Sequence, residues 1–217
     1  MKSLLDKELR LAVSPLTWLF LAASLMTLIP GYPILMGSFF ICLGIFQSFQ
    51  SARETNDMLY TALLPVRKGD VVKARYAAVC FFELIGFAVM AVLTALRMTA
   101  LGSAAPYVTN PLMNATPVFL AFALLIFALF NLIFVRGFFI SGYKFARPFL
   151  IFIIAAMLTV FAAEVLPHIP SLAFLRVPSG ERMPLQLCVL LAAAALYALI
   201  TFLSERSAER AFELIDL

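Results

Sequence analysis

The chain has 217 residues, of which 64% are hydrophobic and 13% are charged, and its formal net charge is +4. A soluble domain carries about 45–50% apolar and about 25% charged residues, and a chain of this size cannot bury the excess apolar surface in its own core. The composition therefore excludes an ordinary soluble enzyme, a disordered chain and a fibrous protein, and it predicts an all-α integral membrane protein. The positive charge is too small and too scattered for binding to nucleic acid.

Residues 1–13 predict an N-terminal interfacial helix. On a helical wheel the apolar residues share one side and most charged residues the other: Leu4, Leu5, Leu9, Leu11, Ala12 and Val13 against Asp6, Lys7 and Arg10. A helix with this pattern lies along the membrane surface instead of crossing it. Glu8 interrupts the apolar side, so a frayed cytosolic segment is the alternative.

Charges and prolines divide the rest of the chain into six transmembrane spans, since a span needs about 20 residues. No charge lies between Arg10 and Arg53, and the proline-glycine turn at 30–33 splits that stretch into two spans. Ser14 and Pro15 suit the start of the first span as its N-cap and first helical residue. The predicted spans are 15–29, 33–50, 76–96, 118–135, 148–163 and 184–204.

Lysine and arginine residues orient the spans. Thirteen of the sixteen cations fall at the N-terminus, in the segment 53–75, between spans four and five, and in the tail after span six. Only Arg97, Arg176 and Arg182 fall on the other side. Because loops rich in lysine and arginine stay in the cytoplasm, both termini are predicted to be cytoplasmic. The chain 1–217 is then one transmembrane domain.

The sequence contains no motif of an enzyme or a nucleotide-binding site. It lacks a phosphate-binding GxxxxGK[ST] loop, an HExxH zinc motif and a GxSxG nucleophile motif. The single histidine, His168, lies in a predicted outer loop, and the three cysteines lie far apart without the spacing of a metal site. The chain is therefore predicted not to be an enzyme and to hold no cofactor or metal itself.

Two polar residues lie inside predicted spans. Glu83 falls about two turns into the third span, roughly 12 Å past Arg75 at 1.5 Å per residue. A carboxylate at this depth is costly unless it is paired, protonated or facing water. Glu83 is therefore expected to line a translocation path or to pair with a cation near the inner surface, or else to form an interhelical hydrogen bond or to snorkel to the interface. Asn131 in span four predicts an interhelical hydrogen bond.

The cytoplasmic segment 53–75 predicts a short amphipathic helix pinned between two spans. Residues 54–64 have apolar side chains at helical spacing, Pro65 ends the helix, and Gly69 with Asp70 supplies a turn and an N-cap for span three. Such a helix presents polar residues to the cytosol: Glu54, Asn56, Asp57 and Tyr60. A merely solvated loop is the alternative.

Three stretches together resemble a known family: KSLLDKEL at 2–9, RETND at 53–57 and LPVRKGDVVKARY at 64–76. They resemble permease subunits of type-2 ABC exporters (type V exporters), most closely the small bacterial permeases that include subunits of the phenol-soluble-modulin exporter. The resemblance implies an elbow helix at 1–13 and a coupling helix around 54–64, which docks on a separate ATPase subunit that binds ATP and Mg. The implied coupling residues are Glu54, Asn56, Asp57, Leu59, Tyr60, Pro65, Arg67 and Lys68.

The resemblance also implies a second permease copy or paralogue, which completes a path through the bacterial cytoplasmic membrane, and amphipathic or antimicrobial peptides as substrates. Two other classes stay open from the residues alone. A secondary carrier would often show an inverted repeat, and none is visible between 1–96 and 118–217. A membrane-embedded enzyme or processing factor would need several convergent polar groups, of which Glu83 is a single candidate.

Overall fold

The computed structural model describes residues 2–62, 66–142, 144–175 and 182–214. This part of the chain is all-helical and contains no strand. The first helix, α1 (Lys2–Lys7), is followed directly by a π-helical segment, Glu8–Ala12. The second helix, α2 (Pro15–Phe20), is followed directly by a 3-10 helix, Leu21–Leu28. The helices are α1 (Lys2–Lys7), α2 (Pro15–Phe20), α3 (Met36–Glu54), α4 (Asp57–Ala62), α5 (Lys68–Thr99), α6 (Ala105–Val108), α7 (Pro117–Ile140), α8 (Ala146–Val165) and α9 (Met183–Glu213).

Four of the described helices are long and apolar enough to cross a membrane: α5, α7, α8 and α9. The helical segments of α1 and α2 make a fifth candidate, bent by 79° at the break between them. The remaining predicted span is α3, which has 19 residues but carries polar side chains in its second half, at Gln47, Ser48, Gln50 and Ser51. The structure thus contains four or five candidate spans by length and composition, against the six that the sequence predicts.

The start of α2 follows the prediction. The Ser14 side chain accepts a hydrogen bond from the Leu16 amide, and Pro15 occupies the first helical turn. A 3-10 helix rises about 2.0 Å per residue against 1.5 Å for an α-helix, so the six α-helical and eight 3-10 residues together reach roughly 25 Å. The 3-10 turns therefore make this segment longer than an α-helix with the same number of residues.

The hairpin between α2 and α3 depends on glycine. Gly31 adopts φ +71°, a left-handed conformation that glycine enters without steric cost. A methyl group on Gly37 would lie 2.7 Å from the Ala23 carbonyl oxygen, and one on Gly44 would overlap the Phe20 side chain. The two helices therefore pack at close range, as small residues at helix crossings predict.

The core is built around α7, whose apolar window is 72% buried, whereas that of α9 is 11% buried. Phenylalanines from α3, α7 and α8 fill the centre. The Phe46 and Phe149 rings stack with centroids 3.7 Å apart, and the Phe49 and Phe134 rings meet edge to face at 5.0 Å. Such pairs add to the stabilisation from apolar burial. The arrangement leaves α9 as the peripheral helix.

Several predicted boundaries differ from the structure. The helix α5 begins at Lys68, so Gly69 and Asp70 lie in its first turn and the predicted turn and N-cap at these residues are wrong. The same helix ends at Thr99, which places Arg97 in a helix instead of a loop. The tail after residue 204 continues α9 as a helix without a break to Glu213. Hydropathy marks the apolar part of a helix and not its polar extensions, so the helices run beyond the predicted spans.

Candidate functional site

The corner between α3 and α4 begins the first candidate site, on the side of the protein that the sequence predicts to be cytoplasmic. Glu54 is the last residue of α3, and Asn56 follows with φ 51°. Asparagine tolerates this left-handed conformation, which ends the helix and turns the chain. The short helix α4 then begins at Asp57, not at Glu54 as predicted. The predicted helix 54–64 is therefore divided by a turn.

Four charged side chains from three helices meet beneath α3. The Lys7 Nζ of α1 lies 2.6 Å from the Asp57 Oδ1 of α4. The Arg75 Nε of α5 lies 2.9 Å from the Glu8 Oε2, and its Nη2 lies 3.5 Å from the Asp57 Oδ2. These residues, Lys7, Glu8, Asp57 and Arg75, lie on the side predicted to be cytoplasmic, and we name them the cytoplasmic charge cluster. Two cations balance two anions, so the cluster joins α1, α4 and α5 without net charge.

The pair of Glu8 and Arg75 is the most deeply buried part of this cluster. Their side chains are 2% and 4% exposed, and the Arg75 guanidinium also lies 5.2 Å from the centre of the Phe49 ring. Removing one partner of a buried ion pair lowers the free energy of unfolding of a protein by about 3–5 kcal/mol. The position of Glu8 on the apolar side of α1, which weakens the amphipathic pattern, is explained by this partner. Sequence patterning alone did not pair the two residues.

The eight predicted coupling residues differ in their exposure. Glu54, Asn56, Tyr60 and Arg67 are exposed, and Tyr60 is 68% exposed. Asp57 instead turns inward, where its carboxylate belongs to the charge cluster. The remaining three are Lys68, half-buried in the first turn of α5; Leu59, which lies on α4 with its side chain outside the described part; and Pro65, which lies outside the described residues.

The C-terminal end of α9 contacts its neighbours through polar side chains. Lys73 Nζ lies 2.8 Å from Glu209 Oε1, and the Arg136 Nε donates a 2.9 Å hydrogen bond to Ser207 Oγ. Lys73 precedes the apolar part of α5, and the hydrogen bond with Glu209 raises the pKa of its ammonium group. These contacts connect the end of α9 to α5 and α7.

A second polar cluster lies among α5, α7 and α9. The Glu83 Oε2 accepts a 2.7 Å hydrogen bond from the Tyr197 hydroxyl and a 2.9 Å bond from the Asn131 Nδ2, which also donates to Thr201 Oγ1 at 3.1 Å. We name Glu83, Asn131, Tyr197 and Thr201 the Glu83 cluster. No lysine, arginine or histidine pairs with Glu83 within the described ranges.

The Glu83 cluster has the interhelical bonds that the sequence left as one alternative for Glu83 and predicts for Asn131. Both residues are fully buried. Asn131 lies in a π-helical stretch, Phe130–Val135, where its carbonyl oxygen also accepts a 3.3 Å hydrogen bond from the Tyr76 hydroxyl. Sequence reasoning missed Tyr197 and Thr201. Their spacing of four residues in an otherwise apolar span was the available signal, because such residues share a helix face.

The loop between α5 and α7 packs against the end of α2. The Arg97 Nη1 donates a 2.7 Å hydrogen bond to the Thr27 carbonyl, and the Tyr107 hydroxyl donates a 2.9 Å bond to the Leu28 carbonyl. The Arg97 guanidinium lies 4.4 Å from the centre of the Tyr107 ring. Free carbonyls at a helix C-terminus attract donors and positive charge. These contacts hold the loop against the end of α2.

The described residues contain no group of three or more histidine, cysteine, aspartate or glutamate side chains placed to hold a metal ion. His168, in the outer loop after α8, has its Nδ1 2.9 Å from the Glu164 carbonyl oxygen and is exposed. Neither polar cluster has the arrangement of a nucleophile with its base. The chemistry that both clusters support is the joining of helices.

A family model described as ABC-2 family transporter protein matches residues 3–208. The match covers nearly the whole chain, which therefore belongs to this family of transporter permeases. Comparison with curated proteins and with solved structures finds no match. The family assigns the chain a role as a transport permease in a membrane, and permeases of this family normally work with an ATPase partner. The closer relation to phenol-soluble-modulin exporters stays a prediction.

Proposed function

We propose that the protein is the permease subunit of an ATP-driven exporter and receives the work of a separate ATPase subunit through α4. The cytoplasmic charge cluster carries this proposal. It holds α4 against α1 and α5 by ion pairs, while Tyr60 remains exposed beside them. ATP and Mg are bound by the partner, and this chain supplies the surface on which the partner pushes.

The contacts of α4 favour a mechanical role. A helix of six residues is too short to be stable alone, so its position depends on its partners. Asp57 pairs with Lys7 on one side and with Arg75 on the other. A push on α4 therefore reaches α5 through a charged contact, and α5 extends over 32 residues from Lys68 to Thr99.

The membrane arrangement belongs to the same proposal. We count α3 as a span, giving six with the apolar segments of α2, α5, α7, α8 and α9, and we place both termini in the cytoplasm. The 79° bend between α1 and α2 supports an α1 that lies along the inner membrane surface as an elbow helix. The polar second half of α3 then lies at the cytoplasmic end, next to α4.

The path and the substrate complete the proposal. A second permease copy or a paralogue pairs with this chain in the cell membrane, because a single chain whose centre is filled by phenylalanine rings offers no open path. Apolar side chains on the outer faces of the bundle contact lipid and this second chain. Amphipathic or antimicrobial peptides are the proposed substrates, on the strength of the family resemblance.

Co-purification with the ATPase subunit, followed by transport in proteoliposomes, tests the proposal. Tyr60→Ala removes the exposed aromatic side chain of α4, and Val108→Ala, at a residue 64% exposed on α6 at the opposite end, is the matched control. We expect Tyr60→Ala to lower ATPase binding at least about tenfold, the loss of one aromatic anchor at an interface, and the control to bind normally. Equal binding by both variants refutes docking on α4. Transport that continues without ATP and stops when an ion gradient is removed refutes the ATP-driven exporter.

A further inference from the structure

Two oxygen atoms of the Glu83 cluster have no hydrogen-bond partner. Glu83 Oε2 accepts from both Tyr197 and Asn131, whereas Glu83 Oε1 is buried without a partner. The Asn131 Oδ1 is likewise buried and unpartnered. A buried polar atom without a partner loses its hydration and gains nothing in exchange, so the two oxygen atoms require a physical explanation.

The surroundings of Glu83 supply no positive charge. The titratable side chains that interact with it electrostatically are Cys42 on α3, Tyr76 and Cys80 on α5, and Tyr197 on α9. Asn131 faces it from α7. All of these side chains are uncharged in their ordinary states. An ionised carboxylate in an apolar interior needs a compensating charge, and none of the described side chains provides one.

We propose that the Glu83 cluster is a proton-binding site. Glu83 carries a proton on Oε1 while α5, α7 and α9 are packed together, and Oε2 remains the acceptor for Tyr197 and Asn131. The bound proton makes the carboxyl group neutral and turns the unpartnered oxygen into a hydroxyl donor. When the carboxyl group is hydrated, the Oε1–H bond breaks, the proton passes to water, and the carboxylate is left solvated.

The peripheral helix α9 is the element that this site controls. Tyr197 and Thr201 of α9 hold two of the hydrogen bonds in the cluster, and the apolar window of α9 is the least buried of the four long spans. Movement of α9 away from α7 would break these bonds and admit water to Glu83. Closing of α9 would therefore take up one proton per chain, and opening would release it. This inference does not depend on docking at α4.

The Glu83→Gln variant of the full chain, purified in detergent, tests the site. Glutamine keeps the size and supplies N–H donors, but it cannot release a proton. Above the ordinary glutamate pKa of about 4.3, the unfolded state loses this proton while the folded state keeps it, so stability falls as pH rises above that value until the folded state also releases the proton. We expect the folded-to-unfolded ratio to fall by up to about tenfold per pH unit relative to Glu83→Gln.

Glu213→Gln, at an exposed residue at the end of α9, is the matched control and should keep the wild-type dependence on pH. Identical pH dependence in wild type and Glu83→Gln overturns the proposal. A sodium-dependent stabilisation at fixed pH, present in wild type and lost in Glu83→Gln, also overturns it, because the ligand is then a metal ion. Infrared spectroscopy of wild type checks the site without relying on that variant's folding. A protonated-carboxyl band that shifts in heavy water supports it, and the absence of such a band overturns it.

Discussion

Replacement of Arg75 by methionine gives the sharpest test of the cytoplasmic charge cluster. Methionine keeps most of the side-chain volume beside Phe49 but removes the partner of Glu8, which is 2% exposed. Leaving a buried ion without its partner costs about 3–5 kcal/mol. Lys7 remains 3.8 Å from Glu8 and compensates part of the charge, so the expected loss is at the lower end, about 3 kcal/mol.

Denaturant titration of the full chain in mixed micelles measures this loss as a free energy of unfolding. Arg10→Met is the matched control, because Arg10 forms an ion pair with Asp6 at 2.7 Å whose side chains are 77% and 61% exposed. Exposed pairs contribute about 0–1 kcal/mol. The double variant with Glu8→Gln should recover much of the loss, since the buried anion is then gone. A loss in Arg75→Met no larger than in Arg10→Met, or no recovery in the double variant, refutes the reasoning.

Three further predictions concern other contacts of the fold. Gly44→Ala should lower the free energy of unfolding by about 1–3 kcal/mol because a Cβ there overlaps the Phe20 side chain at its root, whereas Gly86→Ala meets only the flexible end of Ile41 and should cost less. Tyr107→Phe should cost about 0.5–1.5 kcal/mol by removing the donor to the Leu28 carbonyl, and proteolysis of the outer loop should become faster. Lys73→Met breaks a partly exposed pair with Glu209 and should lower the free energy of unfolding only slightly, a difference that shrinks as salt is added.

The parts of the fold that the sequence predicts are those governed by local chemistry. Ser14 and Pro15 start α2 as predicted, and a turn at Gly31 separates α2 from α3. The glycines of α3 lie where α3 and α2 approach closely, as is typical of small residues in an apolar span. These features depend on a few neighbouring residues, and the family resemblance depends on short stretches of the same kind.

The parts that the sequence misses are pairs between distant residues. Glu8 and Arg75 come from different helices, and no periodicity within either helix joins them. The irregularity of Glu8 on an apolar face was the only local sign of a partner elsewhere. Asp57 is a polar residue of the kind expected on a docking surface, yet its carboxylate pairs with Lys7 and Arg75. An exposed polar residue and a buried ion-paired one look alike in a sequence, and only the packing separates them.

The two polar clusters share α5, and this has a consequence for the proposed exporter. Arg75 and Glu83 are separated by about two helical turns, or roughly 12 Å, along a continuous helix. Over two turns of unbroken helix the gentle curvature of long helices is small, so a displacement of Arg75 is carried to Glu83. A displacement of α4 that pulls on Arg75 therefore strains the bonds from Tyr197 and Asn131 to Glu83. Those bonds join α9 to α5 and α7, so a force applied at α4 acts on the contacts that hold α9 in place.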